Sequence, residues 1–125
     1  MHHRHHRTLV LVPLLALSAC VASREPRVPE PERRAFSAAV ATMCDVDHLA
    51  GLSADADPLG VGVARTAWIT ANVDNPDSIE LRTLLSVKGA AEQASMLRDQ
   101  AKELGLPRCA LADTLEKTGV GGISP

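Results

Sequence analysis

The chain of 125 residues contains no Tyr, one Phe and one Trp. Sheets draw on aromatic and β-branched residues, so this poverty argues against a β-rich domain. Histidine is almost absent beyond the first six positions, where only His48 remains, and there are three cysteines, Cys20, Cys44 and Cys109. No Cys/His set reaches the four ligands of a structural zinc site. Basic charge is also scarce, with 13 Lys and Arg against 15 Asp and Glu. That balance, with no polybasic stretch, excludes nucleic acid as a partner and an electrostatic hold on anionic lipid. No apolar run approaches the roughly 20 residues of a membrane-spanning helix. No internal repeat and no complete cofactor-binding motif is present, so no cofactor is called for.

What the chain does have is concentrated at its start. Met1 to Arg7 is basic, with Arg4, Arg7 and four histidines, and Thr8 to Leu17 (TLVLVPLLAL) is apolar. The small residues Ser18 and Ala19 then precede Cys20. A basic, an apolar and a small-residue section in that order make a secretory signal peptide, residues 1–19. Leu17-Ser18-Ala19-Cys20 resembles the lipobox of bacterial lipoproteins. The resemblance implies cleavage between Ala19 and Cys20, a thioether-linked diacylglycerol on Cys20, and acylation, such as palmitate, of the new amino terminus. Two or more acyl chains hold a protein stably at a bilayer. The domain then lies outside the cytoplasm, lipid-anchored in the cell envelope, and Val21 in place of an Asp leans towards the outer membrane.

Loss of Arg4 and Arg7 with the leader leaves 11 basic and 15 acidic residues. Residues 20–32 begin with the lipidated cysteine and continue as VASREPRVPEPE, with three prolines and alternating charge. They read as an extended tether, which at about 3.1 Å per residue reaches roughly 35 Å. Residues 33–117 are rich in Ala and Leu and read as one small helical domain, followed by a flexible Gly-rich tail over 118–125.

The expected fold is all-α, a small array or bundle of four to five short helices, closed by one disulfide. The first helix is expected from Arg33 to Ala50, with Phe36, Val40, Met43 and Val46 or Asp47 inward and Gly51 ending it. Residues 53–60 read as a loop. The second helix runs over Val61–Val73 with Ala64, Trp68 and Ala71 on its inner face. Asn75-Pro76-Asp77 signals the start of a third, which presents Leu81, Leu84 and Leu85 and runs to Lys88. The fourth covers Ala90–Leu104, with Ala94, Leu97, Ala101 and Leu104 inward, and the last Arg108–Lys117, with Cys109, Ala112 and Leu115.

In an exported protein, the two cysteines left after lipidation favour a structural disulfide, Cys44–Cys109, over two buried free thiols or a redox pair, the latter of which would show a CxxC spacing. His48, four residues after Cys44 and near Asp45 and Asp47, could serve as a metal ligand or a catalytic base. It lacks a completing group and reads as a surface histidine. Asp45, Asp47, Asp55 and Asp57 do not match a calcium loop and read as solvated or capping residues. Gly60-Val61-Gly62 and Gly119-Val120-Gly121-Gly122 lack the rest of a phosphate loop. Trp68 reads as a core anchor. Glu92, Arg98, Asp99, Lys102 and Glu103 read as a locally paired solvent face.

Three functions follow. The leading one is a non-enzymatic interaction or envelope-organising module with a membrane anchor and a protein partner. The alternative is a periplasmic carrier or sensor of a small apolar ligand. The third, an enzyme built on His48, is disfavoured because no catalytic set and no metal site is legible.

Overall fold

Prolines and short polar residues mark where helices start along this chain. The computed structural model describes residues 27–53 and 56–125. Cys20, the expected cleavage site at Ala19, most of the expected tether and Asp55 lie outside the described residues. Helix α1 (Glu30–Cys44) follows the cap residue Pro29, with Glu30, Pro31 and Glu32 in its first turn. Proline fits a first turn, where its missing N–H has no partner to lose, and carboxylates favour the positive helix end. The helix therefore takes in Glu30–Glu32, which the sequence reading assigned to the tether.

The expected single helix to Ala50 is broken at Asp45, with α2 (Val46–Leu49) following as one short turn. The break lets Val46 enter the core with no exposed surface. It also swings Asp47 towards α3. Gly51, at φ +63°, ends this segment as expected.

Helix α3 (Pro58–Asn72) starts three residues before the expected Val61. The Asp57 carboxylate accepts the Gly60 N–H at 2.8 Å, and Pro58 takes the first helical position. The Asn75–Pro76 signal opens α4 (Pro76–Ser86) in the same way, with Asn75 Oδ1 accepting the Ser78 N–H at 3.1 Å. Helices α5 (Ala90–Glu103) and α6 (Ala110–Thr118) follow.

The six helices, with no strand among the described residues, form an all-α bundle. The core joins Val40, Met43 and Val46 to Leu81 and Leu85 of α4, Leu97 and Ala101 of α5, and Leu111 and Leu115 of α6. Helix α1 touches α4, α5 and α6, while α5 and α6 pack as an antiparallel hairpin. Cys44, the last residue of α1, is bonded to Cys109, the residue before α6, with their Cα atoms 4.6 Å apart. The bridge closes a loop with a sequence separation of 65. By chain-entropy reasoning it stabilises the fold by up to about 4 kcal/mol.

Two inner faces differ from the sequence reading. On α3 the buried residues are Val61, Gly62, Arg65 and Ile69, whereas Ala71 is exposed and Trp68 half-buried against the core. The true stripe follows i, i+4, i+8 spacing, with an arginine in its middle. On α4, Leu84 faces outward and Ser78 is buried instead.

Residues 118–125, expected as a loose tail, are docked. Thr118 closes α6, Gly119 caps it in the left-handed region at φ +68°, and Ile123 is only 2 % exposed. Of the two aliphatic side chains in this glycine-rich stretch, Ile123 enters the core while Val120 stays exposed, and buried polar side chains hold the backbone around Ile123.

Candidate functional site

The polar interior of this domain is small and sits on one side. Among the described residues three polar or charged ones are buried, Arg65, Ser78 and Gln93. Ser78 serves the α4 cap, its hydroxyl donating to the Asn75 carbonyl at 2.6 Å. The other two face the C-terminal segment.

Arg65 projects from the middle of α3 towards α2. Its Nε donates to Asp47 Oδ1 at 2.6 Å and its Nη2 to Asp47 Oδ2 at 2.7 Å. This is the two-pronged pairing that guanidinium and carboxylate geometry favours. Its Nη1 donates to the Gly121 carbonyl. One buried cation therefore ties α2, α3 and the C-terminal segment together. The arginine side chain is almost wholly buried while the aspartate keeps some solvent contact.

Gln93 opens the inner face of α5. Its Nε2 donates to the carbonyls of Lys88 and Ile123, both at 2.9 Å. Its Oε1 accepts the Ile123 N–H at 2.8 Å. One amide thus satisfies both backbone groups of a buried residue, as interior polar groups require. Thr66 Oγ1 accepts the Ser124 N–H at 2.9 Å and donates to the Gly62 carbonyl at 3.0 Å.

The segment lies close enough that side chains are excluded at the crossing. A Cβ on Gly62 would fall 2.9 Å from the Gly122 carbonyl oxygen, and one on Gly122 only 2.5 Å from Gln93 Oε1. Two open clefts flank it. One, of about 540 Å³, lies by Leu59, Lys88, Gln93 and Ile123. The other, of about 410 Å³, lies by Leu52, Val61, Arg65 and Lys117.

The residues singled out in the sequence sit elsewhere. His48 is exposed, its Nδ1 3.2 Å from Asp45 Oδ2, and Cys44 one turn earlier is bonded to Cys109. Asp57 caps α3, and Asp47 is the partner of Arg65 rather than part of a solvated acidic patch. Among the described residues no group of three or more His, Cys, Asp or Glu could hold a metal ion. Arg98, expected to pair within its own helix, instead reaches α6. It meets Glu116 at 2.8 Å and Asp113 at 3.4 Å. The hydrogen bond to Glu116 is the largest cause raising the Arg98 pKa above its ordinary value.

Arg65, Gln93 and Ile123 were not singled out in the sequence, and Gly62 stood out only as part of an incomplete glycine motif. Their signals were positional. Arg65 lies four residues from both Val61 and Ile69, and Gln93 four before Leu97, so each shares a face with core residues. The chain matches no protein-family model, no curated protein and no solved structure.

Proposed function

We propose that the protein is a lipid-anchored helical module of the bacterial cell envelope, held through Cys20, that works by binding a protein partner rather than by catalysis. The observation that carries this reading is the bond between Cys44 and Cys109. Disulfides persist in oxidising compartments, the destination of an exported chain. The leader and the Leu17–Cys20 motif supply the export and the anchor.

The geometry around His48 supports a non-catalytic reading. Its ring meets Asp45 on the surface, and the nearest thiol type, Cys44, is bonded and inert. The carrier alternative finds less support, because the space between the helices is filled by Met43, Leu85, Leu97, Leu111 and Leu115. Among the described residues no helix is long and apolar enough to cross a membrane. The acyl chains on Cys20 are thus the attachment in this proposal.

Metabolic labelling with palmitate tests the anchor. Label is expected on the wild-type chain and not on Cys20→Ser, which leaves the membrane fraction. An unlabelled wild type that fractionates like Cys20→Ser overturns it. Crosslinking on intact cells followed by mass spectrometry then tests the partner. A discrete crosslinked protein is expected, and full cellular function of a chain whose only crosslinks are to lipid would overturn that part.

A further inference from the structure

The segment Gly121–Ser124 is held almost entirely through its backbone. Gln93 reads both backbone groups of Ile123, Thr66 takes the Ser124 N–H, and Arg65 takes the Gly121 carbonyl. One side chain, Ile123, inserts into the core. A Cβ on Gly121 would fall 2.9 Å from the Pro58 carbonyl oxygen and one on Gly122 2.5 Å from Gln93 Oε1, so the groove favours an occupant without a Cβ at those two positions. This is a groove between α3 and α5 that recognises a Gly-Gly-aliphatic-Ser stretch, using the main-chain reading and single-pocket selectivity by which peptides are bound elsewhere.

We propose that this groove also accepts the same segment from a second copy of the chain, so that two molecules exchange their C-terminal segments. None of the contacts depends on the segment belonging to the same chain. Only Gly119 and Val120 separate α6 from the first docked residue. Gly119, at φ +68°, is free of the Cβ restriction on rotation. Val120 is exposed and bound locally, its N–H reaching Thr118 Oγ1 at 3.4 Å. Rotation about Gly119 therefore swings the segment away without disturbing α6. The mouth of the groove carries exposed apolar side chains, Leu59 at 75 % and Val120 at 46 %. A reciprocal exchange brings two such rims together around a two-fold axis, the self-complementary arrangement of most homodimers. The covalently attached segment competes at an effective concentration on the order of millimolar, so exchange is favoured when docking within one chain is impaired.

The test mixes two full-length variants. Gly122→Ala keeps the groove but carries a segment that collides with Gln93. Gln93→Leu keeps the segment but has lost the backbone reader. Each alone is expected to be monomeric by native mass spectrometry and light scattering, and the mixture is expected to form a one-to-one complex. A mixture that stays monomeric while both variants keep their helical circular dichroism overturns the proposal. If either variant does not fold, isotope-labelled wild type is titrated with excess peptide Val-Gly-Gly-Ile-Ser-Pro. The Ile123 and Ser124 amide resonances are expected to move to unbound positions, and the analogue with Ala in place of Ile is expected to be at least tenfold weaker. No displacement, or equal displacement by both peptides, overturns it.

Discussion

The two sides of this bundle are held by different means. On one side α1, α5 and α6 meet through Val40, Met43, Leu97, Leu111 and Leu115, with the Cys44–Cys109 bond at the edge of the contact. On the other, α2, α3 and the C-terminal segment meet through Arg65, Asp47, Gln93 and Thr66, with Ile123 as the apolar plug. Apolar burial acts in proportion to area and tolerates small shifts. Buried polar contacts act through direction, and lose more when one partner is removed than when both are. The first side supplies stability, and the second fixes the position of one segment.

Breaking the covalent side gives the largest expected effect. Replacing both cysteines by Ala lowers stability by up to about 4 kcal/mol, through the freed loop of the unfolded chain. Urea unfolding of oxidised wild type against the double variant measures it, and a difference near zero would show that the loop is restrained by other means. Leu97→Ala follows, at about 3 kcal/mol, from lost transfer energy and the cavity left behind. The same titration reads it.

The polar side sharpens the contrast. Asp47→Ala leaves Arg65 buried without its counter-ion and is expected to cost about 2–3 kcal/mol, below the figure for a fully buried pair because Asp47 keeps some solvent contact. The double change Asp47→Leu with Arg65→Met is expected to cost less than Asp47→Ala alone, since no unpaired charge remains. Thermal melts of the three proteins decide the order, and a double variant worse than the single would show that the pair is net stabilising. Gln93→Leu is expected to cost about 1–2 kcal/mol. Its particular signature is faster hydrogen exchange at Ile123 and Ser124 with Leu97 and Leu115 unchanged. Arg98→Ala, an exposed pair, is expected to leave the melting temperature within error.

The same contrast explains how much was legible in the sequence. From Ala94 onward the α5–α6 side follows the 3.6-residue period with apolar residues, so Leu97, Ala101, Ala112 and Leu115 turn inward as expected, and the disulfide follows from cysteine arithmetic. On α3 an arginine occupies the core stripe. Turning charge outward rotated the expected face onto Ala64, Trp68 and Ala71. Gln93 was overlooked for the same reason, and the docked tail because glycine content reads as freedom when no partner is visible. The early start of α1 was obscured by proline, which breaks a helix interior and suits its first turn. The break at Asp45 had no local breaker to announce it, because it arises from tertiary demands on Val46 and Asp47. The Leu17–Cys20 motif that defines the proposed anchor lies outside the described residues and rests on the sequence alone.

The bridge between positions 44 and 109 also governs what a protease would leave behind. The link between α2 and α3, in which Ser53, Ala56 and Asp57 are exposed, lies inside the bridged loop. A cut there yields two polypeptides that still travel as one particle until a reductant is added. A cut before Glu30 falls outside the loop and sheds the whole bundle intact from whatever holds its leading end.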